Sequence, residues 1–208
     1  MIFRILLICG GLTLLPSAVF SSEDTQIEVE SDLNLFQSGV ERFDKQQYYE
    51  AFEIFLKLAK EQYPEAQYNL SLLYSKGVGV PINYKSALYW GWIAHLNGHD
   101  AAQNQNEELI KLITVELRDE IASQIIEELT LTASAGNGED AFKLAVTLTD
   151  LATEPNFSLA YSWMAIAQAF GVDGASDKLE LIQKNLDLET ILQQQHQAAE
   201  LFSKIKDD

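Results

Sequence analysis

The chain has 208 residues and carries 31 acidic side chains against 14 basic ones, which gives a net charge of −17 at pH 7. This balance argues against a nucleic-acid partner, because phosphate binding needs clustered Lys and Arg side chains, and it also disfavours anionic lipid surfaces. A single cysteine excludes an internal disulfide and a cysteine-rich zinc site. The hydrophobic fraction of 47% is ordinary for a folded chain.

The first 21 residues have the organisation of a secretory signal peptide. Arg4 supplies a positive start, residues 5–15 are apolar, and small residues precede a predicted cleavage after Ser21. An uncleaved membrane anchor and a lipoprotein attached through Cys9 are the alternatives. The apolar stretch is shorter than the roughly 20 residues needed to cross a bilayer, and no small residue stands directly before Cys9.

Cleavage near Ser21 would give a secreted or periplasmic protein without an integral membrane span. It would remove the only cysteine and Arg4, so that the net charge changes from −17 to −18. We expect residues 22–32 to form a flexible acidic N-terminus.

From Leu33 onward, apolar residues recur at spacings of three and four, which is typical of amphipathic helices. No segment alternates with a period of two, so no strand is predicted. Turn signals rich in Gly, Asn and Pro separate the apolar segments at regular intervals. The pattern predicts an all-α chain of antiparallel helix hairpins.

The chain also repeats itself. Residues 83–98 align with residues 156–171 at an offset of 73. The matched pairs include Asn83 and Asn156, Ala87 and Ala160, Trp90 and Trp163, Ala94 and Ala167, and Gly98 and Gly171. Further on, Thr114 matches Asp187, and both residue types can cap a following helix. The sequence therefore predicts two copies of a unit of about 73 residues.

The first copy carries a specific set of motif positions. They are Ala66, an apolar helix ending in Tyr74, the loop Gly77-Val78-Gly79-Val80, and then Ala87, Trp90, Ala94, Gly98 and Ala101. This arrangement resembles the Sel1-like repeat, a relative of the tetratricopeptide repeat. The second copy is degenerate, because Ala152-Thr153-Glu154 replaces the glycine loop.

The resemblance implies a short right-handed α-solenoid of about ten helices. We expect a first unit over residues 33–129 and a second, degenerate unit over residues 130–208. The second unit would close with a capping helix from Leu188 to Ile205, which covers the open apolar end.

The residues offer little sign of catalytic chemistry. His95 and His99 are four apart, but Asn97-Gly98 ends the predicted helix between them and no third metal ligand lies nearby. There is no nucleophile elbow and no phosphate-binding loop with its lysine. We therefore predict no catalytic residues, no metal and no cofactor.

Aromatic side chains cluster on the second helix of each copy. We assign Trp90 and Trp163 to the core, because they occupy matching positions. The candidate protein-binding residues are Trp92, Tyr89, Tyr84 and Tyr161. Trp92 leads them, because the second copy has Ala165 at the same position.

Proteins resembling this family usually act as adaptors. We therefore predict an exported, non-enzymatic adaptor that binds a protein or peptide, with the acidic balance favouring a basic partner. One alternative is an enzyme or binder acting on peptidoglycan or beta-lactams, although the cysteine-rich pattern of such relatives is missing. A structural subunit of an envelope assembly is the other. The oligomeric state stays open.

Overall fold

The computed structural model describes residues 22–207, and this part of the chain is helical with no β-strand. It contains ten α-helices and one π-helical turn, Thr147–Leu151. The helices are α1 (Ser22–Asp44), α2 (Tyr48–Lys60), α3 (Pro64–Lys76), α4 (Tyr84–Leu96), α5 (Asp100–Ile110), α6 (Val115–Ser134), α7 (Gly138–Val146), α8 (Phe157–Ala169), α9 (Ala175–Gln183) and α10 (Leu188–Asp207). The predicted all-α class and the helix number are confirmed.

The internal repeat is visible in the helix bounds. α4 and α8 begin and end 73 residues apart, and so do α6 and α10. The two structural units are thus α3–α6 and α7–α10, and the hairpin α1–α2 precedes them.

The N-terminal boundaries differ from the expectation. Residues 22–32, expected to be flexible, belong to α1, which begins at Ser22 rather than near Leu33. The expected division between residues 129 and 130 falls inside the continuous helix α6, and the units meet at the turn that follows Ser134. The predicted signal peptide lies outside the described residues. Among the described helices, none is both long enough and apolar enough to cross a membrane.

Packing is mostly between helices that follow one another in the chain, which is the contact pattern of a solenoid. One apolar cluster joins α1, α2 and α3, and a larger one runs from α4 to α10. Tyr74 packs against both clusters, and Trp90 of α4 packs against the first. The core is therefore continuous along the solenoid.

Side-chain caps explain where the repeated helices begin. Asn83 and Asn156 accept backbone hydrogen bonds at the starts of α4 and α8. Thr114 Oγ1 accepts from Leu117 N at 3.3 Å, and Asp187 Oδ1 accepts from Thr190 N at 2.7 Å. Each cap satisfies an N–H that has no partner within its helix. The two predicted caps at Thr114 and Asp187 are confirmed.

The glycine loop of the first unit is replaced by a longer helix in the second. After α3, Gly77 and Gly79 take positive φ angles of 67° and 77°. After α7, the helix continues through the π-helical turn, and only five residues separate it from α8. From the start of α3 to the start of α4 the first unit spans 20 residues, and from the start of α7 to the start of α8 the second spans 19, so the second connection is one residue shorter.

Candidate protein-binding groove

A groove with a volume of about 330 Å³ lies between the α2–α3 turn, α4, α6 and the start of α7. We call it the central groove. It is lined by Ala59, Lys60, Gln62, Gln67, Tyr89, Trp90, Ile93, Leu96, Asn97, Glu128, Leu129, Thr132, Asp140 and Lys143.

Helix α4 supplies the apolar wall of the central groove. Trp90 and Ile93 are spaced by three residues, so they lie on one face of the helix, and Asn97 follows at its C-terminal cap. The Trp90 ring is partly exposed and meets the Tyr89 ring edge-on, with centroids 5.2 Å apart. This geometry leaves an indole surface available to a ligand.

A hydrogen bond joins the α4 wall to α6. The Tyr89 hydroxyl donates to Glu128 Oε2 at 2.7 Å, and Gln124 Nε2 donates to Glu128 Oε1 at 3.0 Å. Burial raises the pKa of Tyr89, and the hydrogen bond to the carboxylate and its negative charge raise it further. The phenol therefore stays protonated and acts as a steady donor across the groove.

The α2–α3 end of the groove is fixed by amide side chains. Gln67 is fully buried, and its Nε2 donates to the carbonyl oxygen of Ala59 at 3.0 Å. Asn97 Nδ2 in turn donates to Gln67 Oε1 at 2.9 Å. A buried amide with both ends bonded holds its neighbours in place, so this end of the groove is preorganised.

The α7 end of the groove is polar. Lys143 Nζ lies 3.7 Å from Asp140 Oδ1, and both side chains are largely buried. Asn137 Nδ2 also donates to Asp140 Oδ2 at 2.9 Å. With Lys60 and Glu128 on its rim, the groove combines an apolar wall with charges of both signs.

The leading candidate, Trp92, is not an exposed binding residue. Its side chain is only 6% exposed, and Nε1 donates to Thr147 Oγ1 of the π-helical turn at 3.2 Å. The second unit therefore covers this face of α4. The expectation of an exposed Trp92 is wrong, because the π-helical turn of the second unit packs over the side chain.

The other three candidate residues lie in different environments. Tyr89 lines the central groove. Tyr161 is buried, and its hydroxyl accepts hydrogen bonds from Gln183 and Gln195, each at 3.2 Å. Tyr84 is half-buried against the larger apolar cluster and does not line the groove. Of the four predicted residues, the groove contains one.

Trp90 is the groove residue that the sequence interpretation assigned to the core. Its counterpart Trp163 is 5% exposed, as expected of a core residue, whereas Trp90 is partly open. The difference has a signal in the sequence. The second copy carries apolar Leu201 and Ile205 where the first copy has polar Glu128 and Thr132.

The two neighbouring histidines have separate environments. His95 contacts Trp92 on α4, with ring centroids 5.3 Å apart, whereas His99 stacks on Tyr68 at 4.1 Å just before α5. Within residues covered by the structure, no group of three or more His, Cys, Asp or Glu side chains is placed to hold a metal ion.

Comparison with protein families finds two matches to the Sel1 repeat, over residues 64–90 and 139–167. The first match covers α3 and the first half of α4, and the second covers α7, the π-helical turn and most of α8. Comparison with curated proteins finds no match. Sel1 repeats are generally modules of protein–protein interaction.

Proposed function

We propose that this Sel1-repeat protein is a non-enzymatic adaptor that holds a protein or peptide partner in its central groove. The observation that carries the proposal is the partly exposed Trp90 in the wall of a preorganised groove between α4 and α6. Exposed aromatic side chains in pockets are favoured interface anchors, because they bury a large area at a low cost in conformational entropy.

The size and composition of the groove support a peptide-like ligand. A volume of about 330 Å³ is enough for one or two side chains rather than for a folded domain. Tyr89, Glu128 and Lys60 place hydrogen-bonding groups of both kinds at the rim. Such groups can pair with the backbone of a bound segment while the apolar wall holds its side chain.

We extend the proposal to a partner with a net positive charge, on the strength of the net charge of −17. Long-range attraction would raise the association rate and would be screened by salt. We expect the association rate to fall as NaCl is raised from low to physiological concentration, with little change in the dissociation rate. An association rate that is independent of salt would contradict a basic partner.

We further propose that the protein acts outside the cytoplasm, either secreted or in a periplasm. The support is the pattern of residues 1–21, with Arg4 followed by an apolar stretch and small residues up to Ser21. N-terminal sequencing of the protein from fractionated cells should find Ser22 as the first residue. A soluble cytoplasmic protein that begins at Met1 would contradict the proposal.

Site-specific photocrosslinking in intact cells tests the adaptor proposal. A benzophenone amino acid at Thr132, an exposed position on the groove, should capture a protein partner. The matched control is the same amino acid at Leu131, which is 69% exposed on the same helix but does not line the groove. Adducts from Thr132 alone support the proposal. Equal adducts from both positions, or none from either, would refute binding at the groove.

A further inference from the structure

The two repeat units place equivalent helices at different separations. In the second unit, Ser162 Oγ of α8 lies 3.3 Å from the carbonyl oxygen of Gln194 and 2.8 Å from its Oε1, so α8 and α10 pack closely. In the first unit, the position of Ser162 is taken by Tyr89, whose hydroxyl donates a hydrogen bond to Glu128 of α6. The longer Tyr89–Glu128 bridge leaves α4 and α6 further apart, and the central groove is the space between them.

The second unit fills the corresponding space with its own side chains. Phe170 at the end of α8 and Phe202 of α10 pack edge-to-face, with ring centroids 5.2 Å apart and planes at 61°. Both rings pack against the larger apolar cluster, together with Leu201 and Ile205. Trp163, the equivalent of Trp90, stands seven residues before Phe170, which places the two on the same side of α8, and it is 5% exposed.

The first unit has a smaller or more polar residue at each of these positions. Displaced by 73 residues, Phe170 corresponds to Asn97, Leu201 to Glu128, Phe202 to Leu129 and Ile205 to Thr132. All four of these residues line the central groove. In the groove the first unit therefore has Asn97 and Leu129 where the second unit has two aromatic rings, whereas both units have the tryptophan.

We propose that the central groove receives an aromatic side chain from a peptide segment of the partner, which packs beside Trp90 where Phe170 and Phe202 pack in the second unit. This inference rests on the proposed function and adds the chemistry of the ligand. An aromatic ring fills the space that Phe170 and Phe202 fill in the second unit and removes the exposed surface of Trp90 from water. Glu128 and the Tyr89 hydroxyl lie at the rim, where they can bond the peptide backbone.

Trp90 also provides the readout. The chain has three tryptophans, and Trp92 and Trp163 are only 6% and 5% exposed. Quenching of fluorescence by acrylamide in the folded protein should therefore report mainly on Trp90. A ligand that packs beside Trp90 should protect the fluorescence from acrylamide, whereas a ligand bound elsewhere should leave quenching unchanged.

The test begins with random dodecapeptides displayed on phage and selected on the purified protein. Counter-selection uses the double variant Leu129→Phe, Thr132→Ile, which copies the second unit and fills the groove. Leu131→Phe is the matched control, because it adds the same ring to α6 at an exposed position outside the groove. If the double variant does not fold by circular dichroism, Thr132→Arg replaces it, since Thr132 is exposed, with Ser134→Arg as its control.

We expect the groove-dependent peptides to share one aromatic residue and to bind the Leu131→Phe control like the original protein. Replacing that aromatic residue by alanine in a synthetic peptide should weaken binding by about tenfold or more and abolish the protection of Trp90. Groove-dependent peptides without an aromatic residue would overturn this inference and leave the adaptor proposal standing. If the selection enriches no groove-dependent peptide, both this inference and the adaptor proposal are overturned. Both are also overturned if the original protein sediments as a dimer and the groove-filling double variant sediments as a monomer.

Discussion

Trp92 joins the two repeat units, and its removal should cost far more stability than the removal of Trp90. The Trp92 side chain is 6% exposed, so alanine removes nearly all of its buried surface. An aromatic side chain buries about 150–250 Å², which at about 25 cal/mol per Å² corresponds to about 4–6 kcal/mol as an upper value. We expect Trp92→Ala to lower the free energy of unfolding by about 3–5 kcal/mol, and Trp90→Ala, which removes a partly exposed ring, by roughly half as much.

The hydrogen bond of Trp92 can be measured separately. Trp92→Phe removes the donor, and Thr147→Val removes the hydroxyl that accepts it at 3.2 Å and that itself donates to the carbonyl oxygen of Lys143 at 2.9 Å. Because the two side chains are in contact, the double variant should lose less unfolding free energy than the two single variants lose in sum. We expect a coupling energy of about 0.5–1.5 kcal/mol.

Urea unfolding followed by circular dichroism gives these free energies, with the change in slope as a check on two-state behaviour. The reasoning is refuted if Trp92→Ala lies within about 1 kcal/mol of the original protein, or if Trp90→Ala costs as much as Trp92→Ala. If the Trp92→Ala variant were as stable as the original protein but no longer bound the partner, Trp92 would have to be a partner contact.

The remaining predictions concern a loop and a titratable group. Gly79→Ala should destabilise more than Gly98→Ala, by at least about 1 kcal/mol in thermal unfolding. Both glycines have positive φ, but a Cβ at Gly79 would lie 2.5 Å from the carbonyl oxygen of Tyr48, whereas nothing lies within 4 Å at Gly98; equal losses would contradict the close approach. Burial lowers the pKa of His95 from 6.5, against the opposing attraction of Asp150. As the pH is lowered, His95 therefore binds a proton in the unfolded chain before it does so in the folded protein, and the free energy of unfolding should fall below pH 6.5. His95→Gln should reduce that fall. An unchanged dependence of stability on pH in the variant would contradict this prediction.

The repeat and its helices follow from local sequence. Asn83, Asn156, Thr114 and Asp187 cap helices where the sequence places them, because a cap needs only its own side chain and the next turn. Gly98 and Gly171 both take positive φ after the matched helices, at 87° and 80°. Such features need no partner helix, so one sequence compared with itself is enough to find them.

The first helix and the unit boundary needed more than local patterns. The acidic segment before Leu33 has little apolar periodicity, yet it continues α1 back to Ser22. The division placed between residues 129 and 130 falls within α6, because one helix serves as the end of the first unit and the support of the second. Repeat alignment locates equivalent residues, but it does not show where one packed layer ends.

The sequence pattern assigns Trp90 to the core and Trp92 to the surface, but the structure leaves Trp90 partly exposed and buries Trp92. This difference distinguishes what the sequence decides from what the tertiary structure decides. The amino-acid sequence by itself determined the repeat, the helices, the caps and the presence of a tryptophan at position 90 in one copy and 163 in the other. Only the tertiary structure decided which face of α4 is covered. The π-helical turn of the second unit lies over Trp92, and the bridge from Tyr89 to Glu128 leaves Trp90 open. Periodicity assigns residues to faces, whereas exposure depends on how many neighbours a unit has and how closely they approach.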